Sequence, residues 1–296
     1  MGLYINSNAM ATNAANNLSN SYGRLQTSTQ RLSSGLRINS AADDAAGLGI
    51  RELMRSDVAA LNQGVRNAND AISLIQTADG ALGIIDEKLI RMKELAEQAS
   101  TGTYDSTQRL MIESEYQAMA SEITRIANAT DFNGIHLLNG NLSSATHSGK
   151  GLTSSGKLKV HFGTGNDSSE DYYYIQIGDS TASALGVGNG AKSGTAGYTI
   201  STQSAAQNAL DALQKAIVSK DKIRANLGAL QNRLENTISN LKIQSENIQA
   251  AESRISDADV ASEMTQFVRN QILTQSAIAM LSQANSMPRL ALQLIS

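Results

Sequence analysis

MRSDVAALNQGVRNANDAISLIQTADGALGIIDEKLIRMKELAEQA, residues 54–99, places apolar side chains at alternating steps of four and three: Met54, Val58, Leu61, Val65, Ala68, Ile72 and Ile75. The series skips Asp79, resumes at Leu82 and continues in slightly shifted phase through Ile85, Leu89, Met92, Ala96 and Ala99. Such alternation keeps one stripe of a helix against a partner helix turn after turn, which is coiled-coil-like packing rather than an isolated surface helix. At about 1.5 Å per residue this helix runs roughly 70 Å. A compact domain of this chain length would measure about 40–50 Å across. The expected fold is therefore mainly α, a long helical rod whose core is a lengthwise seam.

The same rhythm recurs on both sides of this stretch. Ala11, Ala15, Leu18, Tyr22, Leu25, Thr29, Leu32 and Leu36 form one series, and Ile112, Tyr116, Met119, Ile123 and Ile126 a shorter one. Near the C-terminus, Ile223, Leu227, Leu230, Leu234, Thr237, Leu241, Gln244, Ile248, Ala251 and Ile255 repeat it. Composition agrees with helices packed along a narrow seam: aromatic residues are 4% of the chain, so the core must be aliphatic. Pro288 is the single proline, so almost nothing interrupts a helix.

Between about 140 and 204 the rhythm stops and Gly, Ser and Thr dominate. Lys157–Phe162 and Tyr172–Ile177 alternate with period two around a Gly/Asp-rich turn, which predicts a β-hairpin near 156–178. The rest of 140–204, including Gly186-Val-Gly-Asn-Gly, reads as exposed variable loop. The Ser/Thr-rich stretches 143–155 and 180–204 offer hydroxyls for O-linked glycans, or are plain solvated loop.

The two ends are unusual in a different way. Residues 1–23 contain no charged side chain, and from Asn270 onward Arg289 is the only one. Helices facing water normally carry Lys and Glu, so charge-poor amphipathic segments make sense if they are buried against each other or against other copies. The expectation is ends that become ordered on self-assembly; the alternative is polar termini that simply fray.

Chemistry finds little foothold. Without cysteine there is no disulfide, thiolate metal site or cysteine nucleophile. His136, His147 and His161 stand apart without carboxylates at ligand spacing, so no metal or cofactor is expected. No phosphate-binding loop or nucleophile elbow is present, and Asp43 and Asp44 read as helix-capping or inter-subunit residues. The net charge of −3 is too near neutral for a nucleic-acid surface, and no run of 18 apolar residues would form a membrane helix. The first 23 residues lack the basic and apolar regions of a cleaved secretory signal, which on its own points to the cytosol.

LSSGLRINSAADDAAGLGI (32–50) closely resembles the N-terminal signature of the bacterial flagellin family. RNANDAISLIQTADGAL (66–82), RMKELAEQAS (91–100) and TDFNG (130–134) follow in the family's order. LGALQNRLENTISNL (227–241), AESRISDAD (251–259) and LSQANSMPRLALQLI (281–295) continue it. The likeness covers about 1–140 and 205–296, and the middle is too short for a full outer domain.

What the resemblance implies is a filament subunit with no enzymatic activity, secreted into the bacterial flagellum. Residues 1–43 and 256–296 would form the inner core of the filament. Residues 44–255 would form a rod domain carrying the hairpin. Leu18, Leu25, Leu32, Ile278, Leu281, Leu292, Leu294 and Ile295 would pack the filament core. The implied partners are other copies of the chain, an export chaperone on the C-terminal segment, the filament cap and the hook-associated junction protein. Export would run unfolded through the flagellar type III system, which needs no cleaved signal. By the same resemblance, Arg91, Leu95 and Glu115 match the positions read by the Toll-like receptor for flagellin, although Ile90 replaces a polar Gln of the recognised pattern. The plain alternative makes Arg91 and Glu115 solvated or inter-subunit charges and Leu95 ordinary rod surface. Leu292, Leu294 and Ile295 also match an apolar triplet read by a cytosolic immune sensor. Two other readings stand beside the filament subunit: a hook–filament junction protein, and an unrelated coiled-coil adaptor.

Overall fold

The computed structural model describes residues 8–144, 156–168 and 170–295, the last eight by backbone alone. His147 and most of the Ser/Thr-rich stretch 143–155 lie outside the described residues. The elements run α1 (Ala9–Ser34), α2 (Ala45–Ser100), α3 (Ser106–Ala129), β1 (Asp131–Phe132), β2 (Ile135–His136), β3 (Leu158–His161), β4 (Tyr172–Ile175), α4 (Ala182–Leu185), α5 (Gln203–Ser256) and α6 (Val260–Ile295). The described residues divide into two compact units: the two ends of the chain, up to Val58 and from Glu246 onward, and the stretch between, Ala59–Ser245.

In the central unit the aliphatic series of α2 is the core. Leu61, Ala68, Ile75, Leu82, Ile85, Leu89, Met92, Ala96 and Ala99 are all buried. At Asp79 the seam does not lapse, because buried Ala78 carries it past while Asp79 turns to Arg224 of α5, at 2.7 and 3.1 Å. Tyr116, Ile123 and Ile126 of α3 and Leu213, Leu227 and Leu234 of α5 close the same cluster. On α5 the seam passes through buried Ser245 rather than the expected Gln244, which is exposed. A buried Lys220 lies between Asp86 (2.5 Å) and Asp221 (2.7 Å). α3 starts with a capping box, in which Asp105 accepts from Thr107 N–H and Gln108 reaches back to the Asp105 N–H.

β3 and β4 pair antiparallel with Val160 opposite Tyr173 and Leu158 opposite Ile175, so the expected hairpin forms with its apolar face inward. Phe162 meets Tyr173 in a tilted arrangement with ring centres 4.6 Å apart, and the Arg233 guanidinium lies over the Tyr173 ring at 3.5 Å. The hairpin sits close against α2: Asn67 donates to the His161 carbonyl, and Gly64 leaves no room for a Cβ beside the Phe162 carbonyl. The second, two-residue ladder, β1–β2, turns through Asn133 and Gly134, both at positive φ.

Part of the stretch expected to be exposed loop after the hairpin is instead in the core, although 192–196 are exposed. Ile177, Ala182, Val187 and Ile200 have no exposed surface. It is held by α3 side chains bonding its backbone. Tyr116 Oη donates to the Gly197 carbonyl at 2.7 Å, Gln117 donates to Tyr198 O and accepts from Asn189 N–H, and Glu113 accepts from Ile200 N–H. Gly188, at φ +57, lies so close to Ala120 that a side chain would collide.

In the unit formed by the chain ends, α1 packs lengthwise against α6. Gly35, in the left-handed conformation, ends α1 and donates to Arg31 O. Leu36 and Asp257 form an antiparallel bridge, Arg37 N–H donates to Ser256 O at 2.7 Å, and the Arg37 guanidinium forks onto the Ile255 carbonyl. Asp43 accepts from the N–H groups of Ser40 and Asn39, which hold its carboxyl below the usual range. Asp44 accepts from Gly47 N–H at the start of α2. Arg51 of α2 reaches the buried Ile38 carbonyl at 2.8 Å, tying the first turns of that helix into this unit. The unit therefore extends further along the chain than the boundary expected at residue 43.

Candidate assembly interface

The seam between α1 and α6 is built from small and polar side chains. On α1 the inward positions are Ala11, Ala14, Leu18, Ser21, Leu25, Ser28 and Leu32. Tyr22 and Thr29, expected on this stripe, are exposed, one position out of phase. Serine at 21 and 28 lets two helices approach closely where a tyrosine would hold them apart. On α6 the matching stripe is Glu263, Phe267, Asn270, Thr274, Ala277, Leu281 and Ala284, at steps of four and three. Asn8 caps α1 and donates across to the Ala284 carbonyl at 2.8 Å. The described ends are thus helical in the single chain, where self-assembly was expected to order them; each helix already has a partner for its narrow stripe.

That stripe uses only part of the apolar surface. Met264, Val268, Ile272, Leu273, Ile278 and Met280 of α6 are each at least 45% exposed, and Met10 and Tyr22 of α1 at least 50%. A helix apolar on several faces is one that is covered on several faces. Of the expected core positions, Leu18, Leu25, Leu32 and Leu281 are half-buried in the α1–α6 seam, while Ile278 points outward. Leu292, Leu294 and Ile295 lie on the α6 backbone with side chains outside the described residues.

The three positions matched to receptor recognition are all in the central unit. Arg91 reaches Glu115 with Nε at 3.0 Å and Nη2 at 2.8 Å, and Glu94 with Nη1 at 3.0 Å. These carboxylates raise the guanidinium's affinity for its proton. Arg91 and Glu115 are exposed, whereas Leu95 is 1% exposed. The reading of Leu95 as ordinary rod surface does not hold, because it packs in the α2 seam. The sequence signal for this was its position beside Ala96, a seam residue.

The paired chain ends still present apolar faces to water, surface that a partner could cover. A family model for the bacterial flagellin N-terminal helical region matches residues 5–143, and one for the C-terminal helical region matches 210–295. The chain is 40% identical over 293 residues to a flagellar filament 33 kDa core protein of Treponema phagedenis, spanning 99% of this chain and 100% of that protein. It is 41% identical over 307 residues to a flagellin of Bacillus subtilis, spanning 98% and 99%. The crystal structure of Bacillus cereus flagellin superposes with a TM-score of 0.46 at 29% identity, covering 63% of this chain and 94% of that one. The chain belongs to the bacterial flagellin family. It is a structural subunit of the flagellar filament, an extracellular assembly, and these relatives lend no support to the junction-protein or adaptor readings. Among the described residues no helix is long and apolar enough to cross a membrane.

Proposed function

We propose that this filament subunit polymerises chiefly through the outward faces of α1 and α6, which neighbouring copies cover. The observation that carries this is the exposed apolar set on a charge-poor helix pair, above all Ile272 at 57% and Met280 at 62%. Burying a side chain of that size contributes about 1.5–3 kcal/mol, repeated at every lattice contact. Seeded elongation followed by electron microscopy tests it. Ile272→Glu with Met280→Glu is expected to stop elongation while the monomer keeps its helicity; normal filaments would refute the assignment.

The finer reading includes transit through the flagellar type III route as an unfolded chain, a chaperone on the C-terminal segment, a cap that guides folding at the tip and a hook-associated junction protein at the base. A cysteine-free chain supports that route, since nothing covalent resists unfolding. A second reading, recognition by the Toll-like receptor for flagellin, is favoured by the adjacent, exposed Arg91 and Glu115. The buried Leu95 would act there by holding α2 in place. A reporter-cell assay on monomer tests it: Arg91→Ala is expected to lower the response, and an unchanged response would remove this reading.

A further inference from the structure

The helix pair that is poorest in charge holds a concentrated positive site. α1 and α6 carry Arg24, Arg31, Arg269 and Arg289 against Glu263 alone, a net +3, so in a chain of −3 the remainder carries −6. Arg24, Arg31 and Arg269 line one groove of about 1070 Å³ between the two helices. Hydroxyls of Thr27, Ser28 and Ser262 line it too.

The carboxylates nearby, Glu263 on the groove and Asp43 within electrostatic reach of Arg31, form no hydrogen bond to these cations. Glu263 approaches Arg31 only to 3.7 Å, beyond hydrogen-bond distance, and Arg31 Nε is buried with no hydrogen-bond partner. Arg24 and Arg269 form no ion pair among the described residues, whereas Arg91, Arg125 and Arg224 each have a carboxylate within 3.0 Å. Planar guanidinium donors grouped in a groove suit a carboxylate, which can accept from two of them at once.

We propose that the Arg24–Arg31–Arg269 groove is a carboxylate-binding site occupied, in the polymer, by an Asp or Glu side chain of a second copy of this chain. Charge complementarity favours that occupant: the acids of the groove's own unit leave Arg24 and Arg269 without an ion pair among the described residues, and the central stretch 59–245 is net −2, so an interface that brings another copy's acidic surface to the groove pairs opposite charges. This rests on the polymerisation reading and adds a direction to it. Apolar faces give adhesion in many registers, while a cationic groove seeking a carboxylate selects one.

Carbodiimide coupling of full-length protein tests it, because the reagent condenses a lysine amine with a carboxylate to an amide, the carbodiimide taking up the elements of water lost in the condensation and leaving as its urea. Filaments are grown from an equal mixture of unlabelled and ¹⁵N-labelled Arg24→Lys/Arg269→Lys protein, and in parallel wild type, Arg24→Gln/Arg269→Gln protein and wild type with added acetate are elongated from seeds. Expected results are amides joining position 24 or 269 of one isotopic copy to an Asp or Glu of the other, and elongation of the glutamine variant slowed by about tenfold with unchanged monomer helicity. Coupling only within one chain, or a glutamine variant that elongates like wild type, overturns the proposal. Acetate that accelerates wild-type growth would also overturn it, by showing that a free anion fills the groove. Failure of wild type itself to elongate would instead refute the polymerisation reading.

Discussion

The Tyr116 hydroxyl donates to the Gly197 carbonyl at 2.7 Å, joining residues 81 apart in the chain from a side chain with no exposed surface. This bond, with those of Glu113 and Gln117, makes the Gly-rich segment after the hairpin a packed strap across α3 rather than a loop. Tyr116→Phe would remove one of the two hydrogen bonds to the buried Gly197 carbonyl, which keeps the Gly188 N–H at 2.8 Å, at a cost of about 0.5–1.5 kcal/mol. Denaturant unfolding is expected to show that loss, with hydrogen exchange faster in 186–200; wild-type stability would rule out the strap.

Burial pushes the Tyr116 phenol well above its ordinary value near 10. The folded protein therefore holds this proton more tightly than the unfolded chain does. Its contribution to stability is complete below the unfolded value and is lost as pH rises above 10 toward the folded value. Stability measured from pH 9 upward is expected to fall more steeply in wild type than in Tyr116→Phe.

Lys220, 1% exposed, is bracketed by Asp86 and Asp221. Replacing it with methionine leaves Asp86 facing an apolar neighbour. The expected loss is about 2–3 kcal/mol, less than for a fully buried pair because both aspartates keep contact with water. Removing Asp86 as well, as Asp86→Leu, should recover part of it; a double-mutant cycle reads the coupling.

Gly64 faces the Phe162 carbonyl with no space for a methyl group. Gly64→Ala would gain helix propensity but force the hairpin outward, breaking the Asn67–His161 bond, for a net loss of about 1–3 kcal/mol. An equal or higher melting temperature would mean that the hairpin shifts freely.

The sequence made some of this plain and hid the rest for identifiable reasons. The α2 seam is legible because an apolar side chain, most often Leu, Ile or Met, stands at nearly every step. The α1 seam was misphased because its true positions include Ser21 and Ser28, which no apolar pattern detects, while Tyr22 nearby attracts the count. The glycines and threonines of the strap at 186–200 have loop composition; what buries much of it is hydrogen bonding from α3, set by tertiary contact. The outward faces of α6 were hidden differently. Ile278 and Leu281 lie three residues apart and read as one stripe, yet one faces water and the other α1.

Side-chain footprinting with hydroxyl radicals tests most directly whether other copies cover the α1–α6 pair. Met264, Met280 and Tyr22, all at least 45% exposed in the single chain, should label readily in monomer and become protected by about tenfold in assembled filaments. Equal labelling of these three residues in monomer and filament would contradict assembly through this pair.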